Sequence, residues 1–195
     1  IRLVESGPAG GAILGQHIAR ELGVRQSIAF DMGGTTAKIV MLNDFEARHS
    51  RSMEIARAHR FLPGSGIPLR LPVIDMIEIG AGGGSVTSLD QLQRISVGPE
   101  SAGASPGPAC YGLGGESPTV TDADLILGKL DPAEFAGGRM KLDVDGAGVA
   151  IDRGIGKTLG LGIREAAAGI AEIVDENMAN ATRVHAADNG DRVET

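Results

Sequence analysis

Residues Ser27 to Met41 read SIAFDMGGTTAKIVM, and no other stretch restricts the fold of this chain as strongly. An apolar run, Ile28-Ala29-Phe30, ends in Asp31. A glycine pair, Gly33-Gly34, follows with Thr35 and Thr36, and a second apolar run extends from Ala37 to Leu42. The pattern predicts strands at about 27–31 and 36–42 around a tight turn, with one carboxylate at the mouth of the turn. Two chemistries fit. Glycines permit positive φ and close approach of a ligand, and consecutive N–H groups in such a turn form an anion-binding concavity. Thr35 and Thr36 add hydroxyl donors. Asp31 would repel a phosphate, so its role in such a site is to hold a hydrated Mg²⁺ shared with the phosphates. An ordinary β-hairpin explains the same residues, because Asp and Gly are common turn formers.

Composition narrows the remaining possibilities. The 195 residues suffice for one domain or a domain with a lobe. A net charge of -7, with no basic tract, argues against a nucleic-acid partner. No apolar run approaches the ~18 residues of a membrane span, and no secretion signal is visible. The single cysteine, Cys110, excludes internal disulfides and fits a reducing compartment, so a cytoplasmic location is expected. The 30 glycines are roughly twice the usual share, and aromatics are only 3%. Together these suggest an α/β fold with many close turns. The chain starts without Met, which suggests part of a longer protein.

Along the chain, residues 1–23 read as a strand end, the short apolar run Ile1-Arg2-Leu3-Val4, followed by a helix. Ser6 is its cap, Pro8 lies in its first turn, Ile13, Leu14, His17, Ile18 and Leu22 form one face, and Gly23 stops it. Residues 44–62 read as an edge strand with loops, and 71–79 as a strand carrying Asp75. Residues 95–118 read as an ordered, irregular loop. Thr121 is expected to open a helix, with Asp124 completing a capping-box variant. Further helices are expected at about 145–159 and 163–187, the latter with apolar residues at i, i+3, i+4 and i+7 spacing.

Gly156-Lys157-Thr158 imitates the end of a P-loop, but the required earlier glycine is Ile151. Gly80 to Ser85 holds four glycines in its first five residues. It lacks the third glycine of a dinucleotide fingerprint, where Ser85 stands. Close approach of its backbone to a ligand or a neighbouring lobe competes there with a plain wide turn. Asp75 is either paired in the core or points into a site. Asp122 fits helix capping, and Cys110 reads as a small buried thiol. His17, His49, His59 and His185 have no metal-ligand spacing.

Six motifs occur in order: Ser6-Gly-Pro-Ala-Gly-Gly11, Phe30-Asp-Met-Gly-Gly-Thr-Thr-Ala-Lys38, Ile79-Gly-Ala-Gly-Gly-Gly-Ser85, Gly98-Pro-Glu-Ser-Ala-Gly103, Pro106-Gly-Pro-Ala-Cys-Tyr-Gly112 and Pro118-Thr-Val-Thr-Asp-Ala123. As an ordered set they closely resemble the hydantoinase A family, which includes ATP-dependent N-methylhydantoinase, 5-oxoprolinase and the nucleotide-binding subunit of acetone carboxylase. The resemblance runs to about residue 187. It implies an actin-like (ribonuclease H-like) ATPase lobe, a mixed β-sheet with flanking helices.

In that frame the whole chain, 1–195, is a partial hydantoinase A domain. It would be the second lobe of a clamp, with glycine-rich loops inserted around 80–118. The first phosphate hairpin would precede Ile1, and the adenosine segment would follow Thr195. The resemblance implies ATP and Mg²⁺ as cofactors. It places Asp31 on the Mg²⁺ through water and Gly33, Gly34, Thr35 and Thr36 on the phosphates. Lys38, Asp75, Gly82, Gly83, Gly84, Ser85 and Asp122 become candidates to line the site.

The implied activity is ATP-driven opening of a cyclic amide such as a hydantoin or 5-oxoproline, through phosphorylation of the amide oxygen. A hydantoinase B-like subunit or region is the implied partner. One alternative is a nucleotide-binding subunit of an acetone-type carboxylase. Another, of a different class, is a mainly structural, partner-binding lobe that is inactive in isolation.

Overall fold

A computed structural model describes residues 6–55 and 64–190. The chain divides into two compact bodies, one of Ile1–Met32, Ala37–Gly80 and Asn180–Thr195, the other of Gly33–Thr36 and Ala81–Ala179. The apolar run at 1–4 and part of the edge strand expected at 44–62 lie outside the described residues.

In the first body, helix α1 (Ser6–Leu22) ends at Gly23, whose φ of 69° only glycine tolerates readily. Strands β1 (Gln26–Met32) and β2 (Ala37–Asn43) form the expected antiparallel hairpin, with Asp31 opposite Lys38 and Phe30 opposite Ile39. The short β3 (Glu46–Ala47) also pairs with β2. Two small ribbons follow from β4 (His49–Ser50), β5 (Met53–Ile55), β6 (Ile67–Leu69) and β7 (Val73–Ile74), with β4 on β7 and β5 on β6. Strand β8 (Ile77–Ile79) joins β2, which makes β2 the central strand. Ala12 and Ala19 of α1 pack on Val40, Leu42 and Ala47. The helix lies close because Gly15 has no side chain: a Cβ there would sit 2.9 Å from that of Ala29.

The strand expected over 71–79 is broken at Asp75. There the Asp75 N–H donates to the Arg48 carbonyl at 2.9 Å. The Asp75 carboxylate lies 3.5 Å from the Asn189 amide nitrogen, which itself sits 3.2 Å from His185. Asp75 is thus half-buried and tied to the end of the last helix.

In the second body, β9 (Ser85–Leu89) and β10 (Ile95–Ser101) form a hairpin. Residues 95–101 are therefore not part of an irregular loop. Ile95, Ser96 and Val97 alternate well enough to pair, and the Gly98-Pro99 step then breaks the register. A 3₁₀ turn spans Ala109–Tyr111, and α2 (Val120–Leu127) follows.

Helix α2 starts two residues before the expected position. Thr119 is its N-cap, and Asp122 completes the capping box. Both Thr119-x-x-Asp122 and Thr121-x-x-Asp124 satisfy the sequence rule. The first prevails because the Thr121 N–H and hydroxyl both donate to the Gly83 carbonyl, each at 2.7 Å. Helix α3 (Val144–Ile151) is capped by Asp143 and passes into a π-helical turn at Asp152–Gly156. A short α4 (Lys157–Leu159) then ends at Gly160, so 145–159 is not one uniform helix. Gly154 faces Pro118 where a Cβ would be 2.8 Å from the ring. Helix α5 (Ile163–Asp188) is the longest, as its periodicity predicts, and buries Ala166, Ala167, Ile170, Val174 and Met178.

Asp122 is the polar centre of this body and is fully buried. Its carboxylate accepts from the N–H of Cys110 (2.7 Å), Thr119 (2.9 Å) and Ala109 (3.3 Å), and from the Thr119 hydroxyl (2.8 Å). It ties the 3₁₀ turn to the start of α2 and does not line open space. Cys110 packs with Leu125, Leu142 and Ala147, and Tyr111 lies 5.7 Å from Phe135 between ring centroids. Burial first, and then the nearby Asp122 charge, push the Cys110 thiol well above its ordinary range.

Two outcomes are expected. Asp122→Ala leaves several buried donors unpaired and removes half of a cap, so denaturant unfolding should show a loss of about 3 kcal/mol. Cys110, held as a neutral buried thiol, should resist alkylation at pH 8 in the native protein and react fully once unfolded.

Candidate functional site

The turn Gly33–Thr36 is clamped by the glycine loop of its own body. The Gly33 N–H donates to the Thr36 carbonyl at 2.8 Å and closes the turn. The Gly33 and Gly34 carbonyls then accept from the N–H groups of Gly83 (3.0 Å) and Gly84 (2.7 Å). This contact is backbone on backbone. A Cβ on Gly82 would lie 2.6 Å from the Gly33 oxygen and 2.8 Å from the Thr35 nitrogen. A Cβ on Gly84 would lie 2.8 Å from the Gly34 oxygen. Gly83 is confined as well, since a Cβ there would lie 2.8 Å from the Thr121 hydroxyl.

Ser85 completes the loop. Its N–H donates to the Gly82 carbonyl at 3.0 Å, and its hydroxyl accepts from the Gly82 N–H at 2.9 Å. The Ala102 N–H reaches the Gly84 carbonyl at 2.8 Å. The loop is a brace in which the N–H and C=O groups of Gly82, Gly83 and Gly84 are all paired, and the close contacts account for its unusual glycine content.

With its carbonyls held from behind, the turn shows its other edge to solvent. The N–H groups of Gly34 and Thr35 have no hydrogen-bond partner among the described residues, and both residues are exposed. The Gly33 N–H, expected to face a phosphate, is instead spent on closing the turn. Neither Gly33 nor Gly34 adopts the left-handed conformation. A Cβ on Gly34 would meet nothing within 4 Å, so this fold places no steric demand for glycine there.

The strands place Asp31 and Lys38 opposite each other. Lys38 pairs at 3.6 Å with Glu78 of β8, its register partner on the neighbouring strand. Asp31 is exposed and has no ion pair among the described residues. The Asp31 and Lys38 side chains border a groove of about 450 Å³ against α1, with Gly7, Gly11 and Gly15 on the opposite wall.

Among the described residues no group of three or more His, Cys, Asp or Glu could cage a metal. A lone unpaired carboxylate does suit a cation held mostly by water and phosphate oxygens. Among the described residues no helix is long and apolar enough to cross a membrane.

Sequence reasoning located the turn, its carboxylate and the glycine loop. It did not show that Gly82, Gly83, Gly84 and Ser85 serve the turn itself. It also missed Thr121, whose two bonds to the Gly83 carbonyl hold the brace in place. A second Thr-x-x-Asp overlapping the cap was the available signal.

An uncharacterized protein of Methanocaldococcus jannaschii is 41% identical over 190 residues, covering 96% of this chain and 28% of that protein. The caprolactamase subunit alpha of Pseudomonas jessenii is 37% identical over 183 residues, covering 94% and 25%. The nucleotide-free structure of acetone carboxylase, from work on ATP-dependent acetone carboxylation, superposes with a TM-score of 0.79 at 31% identity, covering 95% of this chain and 25% of that one. The chain thus spans about a quarter of the length of the relatives it matches. The profile of the hydantoinase/oxoprolinase family matches residues 1–194. The chain belongs to the hydantoinase/oxoprolinase family.

Proposed function

We propose that the chain is the second lobe of an actin-like ATP clamp, in a parent enzyme that opens a cyclic amide. One observation carries this reading. The turn Gly33–Thr36 is braced from behind, presents two unpaired N–H groups, and carries at Gly34 a glycine that folding does not require. Backbone that must stay bare without a folding reason is backbone that a ligand approaches closely.

The Gly34 and Thr35 N–H groups, with the Thr35 and Thr36 hydroxyls, bind β- and γ-phosphate oxygens in this reading. Asp31 holds Mg²⁺ through water, and the ion, when bound, neutralises phosphate charge. The turn's rigidity matters because phosphoryl transfer depends on positioning and charge stabilisation more than on covalent help from the protein. The amide oxygen attacks the γ-phosphorus and ADP leaves. Water then adds to the activated carbon, the ring nitrogen takes up a proton and leaves as an amine as the C–N bond breaks, and a second water cleaves the remaining acyl phosphate to a carboxylate and inorganic phosphate. Unactivated, that bond is protected by amide resonance. Caprolactam is itself a cyclic amide, and similarity to a caprolactamase subunit supports this substrate class.

The superposition on acetone carboxylase supports a second reading, in which the same phosphate site serves a carboxylase. Product analysis with cyclic amides, ketones and bicarbonate separates the two. The relative's designation as a subunit supports a partner chain, for which a hydantoinase B-like polypeptide is our candidate. A purely structural lobe leaves the bare Gly34 without a reason.

In the full-length parent, Asp31→Ala should lower ATP turnover by about 100-fold or more, with unfolding unchanged because the side chain is exposed. Unchanged turnover would remove Asp31 from the site. A glycine pair separates ligand contact from bracing. Gly34→Ala should leave stability within about 0.5 kcal/mol of wild type, while ATP turnover falls at least about tenfold. Gly82→Ala should instead cost about 2 kcal/mol in denaturant unfolding, because its Cβ meets backbone.

A further inference from the structure

The second body holds another glycine-rich segment, Gly112 to Glu116, and its backbone is unspent. Gly82, Gly83 and Gly84 use all their polar groups inside the body. In contrast, the N–H groups of Leu113, Gly114, Gly115 and Glu116 have no hydrogen-bond partner among the described residues. Nor do the carbonyls of Gly112, Leu113, Gly114 and Gly115.

The segment is nevertheless held in place. The Gly112 N–H caps the 3₁₀ turn on the Ala109 carbonyl at 3.2 Å. Gly112 and Gly114 have φ of 68° and 96°, which a side chain would resist. Gly115 lies against the backbone of Gly107, where a Cβ would overlap the carbonyl oxygen. At the far end Arg153, in the π-helical turn, donates to the Glu116 carbonyl at 2.9 Å and to its carboxylate at 3.3 Å. The unspent groups thus belong to a loop anchored at both ends.

A groove of about 350 Å³ separates this loop from α3. Gly112, Gly114 and Gly115 form one wall, and Gly146, Val149 and Ala150 the other. The helix wall is small and apolar, with Val149 65% exposed. Leu113, 56% exposed, adds apolar surface on the loop side. Of the charged side chains lining the groove, Glu116 is paired with Arg153. Asp143 accepts from the Gly146 N–H and has no cation partner among the described residues, so the groove keeps one negative charge.

A wall of backbone donors and acceptors, an apolar wall and an unanswered carboxylate complement an extended polypeptide. Its main chain pairs with the loop, as an added strand pairs with a sheet edge. One apolar side chain covers Val149, and a lysine or arginine meets Asp143. A small molecule fits less well, because such sites enclose most of the ligand among convergent polar side chains. A second copy fits less well too, since a chain of net charge -7 brings mostly like charge to Asp143.

We infer that the groove between Gly112–Glu116 and α3 seats an extended, basic segment of the partner subunit. The inference rests on the partner reading proposed above and gives that partner a place on this chain.

The full-length parent and the chain that co-purifies with it test the inference. Benzoyl-phenylalanine in place of Leu113 should cross-link to the second chain, in a peptide that contains lysine or arginine. Val149→Arg should weaken association of the two purified chains at least about tenfold, with unfolding of the parent unchanged because Val149 is exposed. Asp143→Asn keeps a good helix cap and should weaken association about threefold by removing the charge. A cross-link to the parent itself, or to a peptide without a basic residue, overturns the inference. Wild-type association of Val149→Arg does so as well and leaves the partner reading intact. If no second chain accompanies the parent, the partner reading fails and this inference fails with it.

Discussion

Two hydrogen bonds, from the Gly83 and Gly84 N–H groups to the Gly33 and Gly34 carbonyls, set the character of the candidate phosphate turn. A short hairpin turn in water is pliable, and its carbonyls and N–H groups are equally available. Pairing the Gly33 and Gly34 carbonyls to one loop leaves the Gly34 and Thr35 N–H groups as unpaired donors on the turn. Oriented amides of that kind supply fixed positive partial charge without any cationic side chain. That suits a chain with a net charge of -7, whose acidic field would otherwise repel phosphate.

The brace explains why the glycine segment tolerates no side chains. Backbone-to-backbone contact at 2.7 to 3.0 Å leaves no space for a Cβ on Gly82 or Gly84. The loop in turn needs its own support, which comes from the start of α2 through Thr121 and Gly83. The start of α2 is fixed by Asp122, which also holds the 3₁₀ turn. The order runs from a buried carboxylate, through a helix cap and a glycine loop, to an exposed turn. Asp122 therefore contributes to the site by positioning, three contacts removed, while being sealed from solvent.

The sequence made the hairpin and α5 legible because periodicity and turn chemistry are local. The register, with Asp31 opposite Lys38, depends on where the turn closes, which is between Gly33 and Thr36. The start of α2 was misplaced by two residues because local rules gave two equal answers, and a distant glycine carbonyl chose between them. Residues 95–101 were misread for a similar reason. Their pairing with 85–89 is a tertiary fact, hidden by glycine and proline that favour irregular structure. The functional reading of Gly80–Ser85 anticipated close backbone approach, but the partner proved to be another turn of the protein.

Glycines sort by cause in this structure, and the sorting separates scaffold from surface. Gly23, Gly112, Gly128 and Gly160 end helical turns in the left-handed region. Gly15, Gly82, Gly84 and Gly154 make room for a neighbour. Gly7, Gly10, Gly11 and Gly34 do neither, having ordinary φ and open space at the missing Cβ. In a helix each such glycine costs about 1 kcal/mol relative to alanine, so three at the start of α1 are a standing expense that the described fold does not offset. Gly34 and these three belong to the Asp-x-Gly-Gly-Thr and Ser-Gly-Pro-Ala-Gly-Gly motifs, the segments the fold explains least. A glycine with no return within the described fold points to a contact outside it, which is the physical sense in which these two motifs support the proposed phosphate site.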